Sequence, residues 1–153
     1  MPVYNHRFIS NENSEPNPLG MRVAGPTINI EISIPQSLAE EFIKNNKSIP
    51  SPIVGLALID TGASSSCVDN SAIKGLDIKP IGIIDTMTSA GPKQQYRYPA
   101  HFFFPAAKIN VDFGSITGAD LKGQPIMALI GRDILSNFIF VYNGTLGVYT
   151  IGY

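Results

Sequence analysis

Cysteine is almost absent from this chain: Cys67 is the only one in 153 residues. No intrachain disulfide can form, so a disulfide scaffold is excluded. Histidine is nearly as scarce. His6 and His101 lie far apart, and no metal site is expected from one chain. Charge of either sign is low at 15% of residues, with a net −1. That leaves no basic surplus to neutralise phosphates, so nucleic acid is not an expected partner. Long apolar runs are missing too. Ile53–Ile59 and Ile126–Ile130 fall well short of the ~20 residues of a membrane helix. The first twenty residues, MPVYNHRFISNENSEPNPLG, lack the apolar core of a signal peptide. No membrane partner is expected, and the expected location is cytoplasmic.

The apolar fraction is 44%, which argues against disorder and for one domain with a real core. Residues 1–26 carry Pro2, Pro16, Pro18 and Pro26 without a period of two or 3.6. They read as an extended N-terminal arm, and residues 27–153 as a single domain. Ile28, Ile30, Ile32 and Ile34 alternate with polar residues, the pattern of a half-buried strand. Ser37 and Glu40 have capping-box spacing, and Leu38, Phe42 and Ile43 share a side, predicting a short helix over 36–46. Ile53–Ile59 predicts a strand buried on both faces and ending at Asp60. Ser64–Val68 predicts a strand after the turn, and Asn70–Lys74 a helical turn. Ile81–Ser89 and Gln94–Tyr98 predict a hairpin with a Gly91-Pro92 tip. His101–Phe104 and Ala106–Phe113 add strands. Met127–Ile130 predicts a second buried strand, followed by a short helix after Gly131. Phe138–Tyr142, Asn143-Gly144 and Leu146–Ile151 predict a closing hairpin. The chain is expected to be all-β with one or two short helices.

Two motifs carry chemistry. Asp60-Thr61-Gly62-Ala63-Ser64 follows one buried strand, and Ala128-Leu129-Ile130-Gly131-Arg132-Asp133 spans the other. A lone Asp-Thr-Gly is common turn chemistry. Both motifs together, in this order and with a hairpin between them, resemble the retropepsin family of aspartic proteases over roughly residues 53–153. The resemblance implies a pepsin/retropepsin-like closed barrel and an aspartic endopeptidase without cofactor. It also suggests a stand-alone cellular, prokaryotic member.

The chemistry fits the residue types. Metal-free peptide hydrolysis without a covalent intermediate needs an activated water and a proton donor for the leaving nitrogen. Two carboxylates sharing one proton supply both. This chain has a single Asp-Thr-Gly, so the second carboxylate is expected from another copy, in a two-fold homodimer. Asp60, Thr61 and Gly62 are the expected catalytic residues. The resemblance gives the Thr61 hydroxyl a contact across the axis. Ala63, Ser64 and the hairpin residues Ser89, Ala90, Gly91 and Pro92 are expected to contact a peptide or protein substrate. Gly131, Arg132 and Asp133 are expected to support the loop. Ser64 stands where viral members often carry an acid, so the partner of Arg132 is open between Asp133 and backbone carbonyls. Asp133 has an ordinary role as an acid in a helix's first turn. Cys67 reads as a buried thiol, and His101 as a strand-edge residue. Tyr96 and Tyr98 either pack on the hairpin or reach the peptide. Val148–Ile151 is expected to be an edge strand, which by resemblance pairs with the partner chain. The alternative function is an inactive or autoinhibited dimeric barrel that binds peptides.

Overall fold

The computed structural model describes residues 1–10, 14–88 and 91–153. In chain order its elements are β1 (Val3–Arg7), α1 (Pro18–Ala24), β2 (Thr27–Ser33), α2 (Gln36–Lys44), β3 (Ile53–Ile59), β4 (Cys67–Asp69) and α3 (Asn70–Gly75). There follow β5 (Gly82–Thr88), β6 (Gly91–Phe104), β7 (Ile109–Ala119), β8 (Ala128–Ile130), α4 (Arg132–Leu135), β9 (Ile139–Asn143) and β10 (Val148–Gly152).

Alternation builds β2 as expected. Ile28, Ile30 and Ile32 are 3%, 0% and 0% exposed, and burying each contributes about 2 kcal/mol. β2 pairs with β3 on one side and β6 on the other. That second pairing closes a ring, β2-β3-β8-β4-β7-β6, so the fold is an all-β barrel of six strands with minor helices. β5 stands outside the ring, attached only to β6. The short strands β8 and β4 sit side by side in the wall, with β8 parallel to β3. This placement brings the ends of β3 and β8, and hence both motifs, together.

Several local expectations shift. α2 forms, but Pro35 is its N-cap and makes no side-chain cap bond. Leu38 and Ala39 donate to the Pro35 carbonyl, which places Ser37 inside the first turn and leaves the capping box unmade. β4 begins at Cys67 rather than Ser64. The closing hairpin turns over residues 144–147, with Leu146 N–H donating to Asn143 Oδ1 at 3.1 Å.

Residues 1–26 are not an extended arm throughout. β1 alternates half-buried Tyr4 and His6 with exposed neighbours and pairs antiparallel with β10. Asn17 caps α1 by accepting from Gly20 N–H at 2.8 Å, and Pro18 opens the helix where a missing N–H costs nothing. Met21 is fully buried. α1 is too short for its single buried residue to register as a period. β10 also differs from expectation: β1 occupies one edge and β9 the other. Neither edge is left for a second chain. Tyr149 locks this small sheet to the barrel, fully buried and donating to the Thr27 carbonyl at 2.7 Å. No helix among the described residues is long and apolar enough to cross a membrane.

Candidate active site

β3 runs through the wall of the barrel and delivers Asp60 at its end. The Asp60 amide still donates to the Ile130 carbonyl at 2.9 Å, extending the β3–β8 ladder by one bond. The chain then turns. Asp60 Oδ1 accepts from Gly62 N–H at 2.8 Å and Ala63 N–H at 3.3 Å. This is an Asx turn, the ordinary local use of such an aspartate. It also fixes the carboxylate, whose Oδ2 takes no part in these bonds. Asp60 is half-buried, and Thr61 and Gly62 are exposed.

The second motif braces this loop. Gly131 is buried, and a Cβ there would lie 2.5 Å from the Ser65 carbonyl carbon. Glycine therefore permits the close crossing. Arg132 N–H donates to the Ala63 carbonyl at 3.0 Å. The Arg132 guanidinium donates to the Thr61 and Gly62 carbonyls at 2.8 and 3.0 Å. Of the two partners left open for Arg132, the backbone carbonyls are the ones bonded.

Asp133 does more than occupy a first helical turn. Its carboxylate accepts from Ser66 N–H at 2.9 Å, from Ser66 Oγ–H at 2.7 Å and from Ile134 N–H at 2.9 Å. Ser66 Oγ in turn accepts from Gly131 N–H at 2.9 Å. Ser66 is 3% exposed, so these bonds are what satisfies it in the interior. Sequence reasoning did not single out Ser66. The signal was faint, one serine in a run of three, and its role depends on a residue 67 positions away.

A cleft of about 780 Å3 lies beside this loop. Gly62 to Cys67 line it on one side, and Ile84, Thr86, Lys93 and Gln95 of the β5–β6 hairpin on another. Ala119, Asp120 and Leu121 form a further wall. Ala63 and Ser64 are among the residues lining the cleft, whereas Asp60 and Thr61 are not. Ser89 and Ala90 lie outside the described residues. Gly91 and Pro92 are in the ladder, opposite Thr88 and Met87, so the Gly-Pro pair is not the tip. Tyr98 is 7% exposed and packs in the core, whereas Tyr96 is exposed. His101 sits on β6, its Nδ1 2.8 Å from Asp112 Oδ1, on a stretch that pairs with β2 and β7 away from the cleft. No group of acids, histidines and cysteine among the described residues could hold a metal ion.

Cys67 lines the cleft, yet burial pushes its thiol up to about 11, helped by Asp60, Asp133 and Asp69, while a backbone hydrogen bond from Leu129 pulls the other way. At pH 8 its thiolate fraction is then about one in a thousand, against about a quarter for an exposed cysteine. Iodoacetamide is therefore expected to label Cys67 about 100-fold more slowly in the folded protein than in urea. Mass spectrometry over a time course checks this, and equal rates would contradict a buried neutral thiol.

Neither a protein-family model nor a curated protein matches the sequence. Solved structures do resemble the fold. The simian foamy virus (mac) protease is 18% identical, over 71% of this chain and 91% of that one, with a TM-score of 0.41. The EIAV protease, in complex with the inhibitor HBY-793, is 17% identical over 85% and 93%, with a TM-score of 0.46. A retropepsin-like aspartic protease from Rickettsia conorii is 16% identical over 97% and 90%, with a TM-score of 0.46.

Proposed function

We propose that the chain is an aspartic endopeptidase whose working form is a homodimer, each copy supplying one Asp60 carboxylate. One observation carries the reading: the Asp60 loop is bonded to Ile130 and Arg132 of the second motif, and its residues from Gly62 onward line a cleft large enough for an extended peptide. Asp133, the acid beside it in the second motif, is engaged by Ser66 and Ile134. It is thus poorly placed to serve as a second catalytic group. The chain carries a single Asp-Thr-Gly, so within this proposal the second carboxylate is the Asp60 of another copy.

In the mechanism, the ionised Asp60 of the pair takes a proton from a water held between the two carboxylates. The water oxygen attacks the scissile carbonyl carbon. The protonated partner carboxyl stabilises the developing oxyanion, and a proton passes to the leaving nitrogen as the C–N bond breaks. Arg132 holds the Thr61 and Gly62 carbonyls, so the loop does not collapse into the space the water needs. The β5–β6 hairpin provides a strand edge to which an extended peptide can add main-chain hydrogen bonds. Thr61, Gly62, Ser64, Ser89, Ala90, Gly91 and Pro92 keep the roles given them above within this proposal.

A second reading is a barrel that binds peptides without cutting them. The in-chain pairing of both β10 edges favours it, because that strand is already paired on both sides within one copy. Cleavage of a diverse peptide library at mildly acidic pH, followed over a dilution series, separates the two. The protease reading expects cuts whose rate per chain rises with protein concentration and then levels off as dimers saturate. A protein shown by sedimentation to be dimeric that makes no cuts would leave the binding reading. A rate per chain independent of concentration in a monomeric protein would rule out the shared dyad.

A further inference from the structure

The cleft wall at Ala119–Leu121 has an unusual support. Leu121 is 7% exposed and packs with Ala119 and Ile126 in a small cluster separate from the main core, joined by half-buried Cys67 and Leu129. Four of these residues, Ala119, Leu121, Cys67 and Leu129, also line the cleft, so the cluster is its apolar floor. The β7 ladder ends at Ala119, and the wall beyond it is held by a side chain from β4. Asp69 is 7% exposed. Its Oδ2 accepts from Leu121 N–H at 2.8 Å, a buried bond spanning 52 positions. Its Oδ1 accepts from Ser71 N–H at 2.8 Å and from the Ser71 hydroxyl, capping α3.

We infer that Asp69 is a positioning residue that sets an apolar subsite of the cleft by fixing Leu121, and that the subsite takes an aliphatic substrate side chain. The inference rests on the cleft's being a peptide site, as proposed above. Donors converge on this carboxylate from two sides, and an ionised carboxylate meets them all because it only accepts. Asparagine would turn an NH2 toward either Leu121 N–H or Ser71, leaving one donor facing another. Burial works against the ionised form, but the Ser71 and Leu121 hydrogen bonds and the nearby Lys122 charge hold Asp69 below its ordinary value. The clamp is therefore made at mildly acidic pH.

The test uses the full chain carrying Asp60→Asn, which binds without cutting. The probes are the best-retained peptide of a randomised library that carries a leucine, and the same peptide with that leucine replaced by alanine. Adding Asp69→Asn is expected to raise Kd for the leucine peptide about tenfold and for the alanine peptide less than about twofold. Hydrogen exchange at the Leu121 amide should quicken in the same variant. Ser71→Ala is the control: it weakens the α3 cap and lowers Tm but should leave the ratio of the two Kd values unchanged. A ratio untouched by Asp69→Asn, or shifted equally by Ser71→Ala, overturns the subsite. Binding without any cleavage by the parent chain sinks the protease reading alone and leaves the Kd ratio to decide. A chain that retains no library peptide overturns the subsite as well.

Discussion

Asp60→Asn is expected to lower peptide cleavage by at least about a thousandfold, the scale on which removing a group that moves protons acts. Its value as a test comes from what it leaves intact. Asp60 Oδ1 accepts the Gly62 and Ala63 amides, and an asparagine oxygen accepts them equally well. The turn, the fold and the bonds from Arg132 should all survive. If Asp60 were only a turn residue, asparagine would be neutral in every assay. If the carboxylate is chemistry, stability stays within about 0.5 kcal/mol while turnover disappears. The dimer proposal adds a quantitative signature. Equal amounts of wild type and variant, mixed and allowed to exchange, leave only about a quarter of dimers with two carboxylates. Activity per wild-type chain should therefore fall by about half on mixing, in a fixed amount of wild type. A mixture whose activity is unaffected by added variant would mean the second carboxylate lies in the same chain, or that none is needed.

The readable parts of this molecule were those whose signals are local. The Ile28–Ile32 alternation, the buried runs before Asp60 and Gly131, and the helices α2 and α4 each follow from side chains a few positions apart. Both motifs came together because each ends a strand of one parallel pair, β3 and β8. What was not legible depends on distant partners. Ser66 gains its role from Asp133 and Gly131, and Asp69 from Leu121. β1 is a strand because β10 lies beside it; its half-buried residues are Tyr4 and His6, which do not announce a core face as isoleucines do. Gly91 and Pro92 are strand residues rather than a turn because of cross-strand register, with Thr88 opposite Gly91, which outweighs the usual turn preference of Gly-Pro. Arg132 bonds to main-chain carbonyls, and no side-chain pattern can reveal those.

Gly131→Ala tests whether the two motifs form one mechanical unit. A methyl group there would sit 2.5 Å from the Ser65 carbonyl carbon, 2.8 Å from its oxygen and 2.9 Å from Ser66 N. All three are backbone atoms of the loop that carries the cleft wall. They cannot rotate away, and Ser66 is also tied to Asp133. The loop must shift as a whole or the strand end must give, which predicts a loss of about 3 kcal/mol, at the upper end of overpacking effects. The contrast is Gly55→Ala, where a Cβ would meet Met127 Sδ at 1.9 Å. That clash is nominally worse, but a thioether swings aside, and the cost should be about 1 kcal/mol. Urea midpoints of the two variants are expected in that order, Gly131→Ala far below Gly55→Ala. Cleavage should also fall more steeply in Gly131→Ala than its folded fraction does, because moving Ser65 and Ser66 moves the wall against which a peptide would lie. If the two midpoints were equal, or activity merely followed the folded fraction, the crossing under the Asp60 loop would be packing and nothing more.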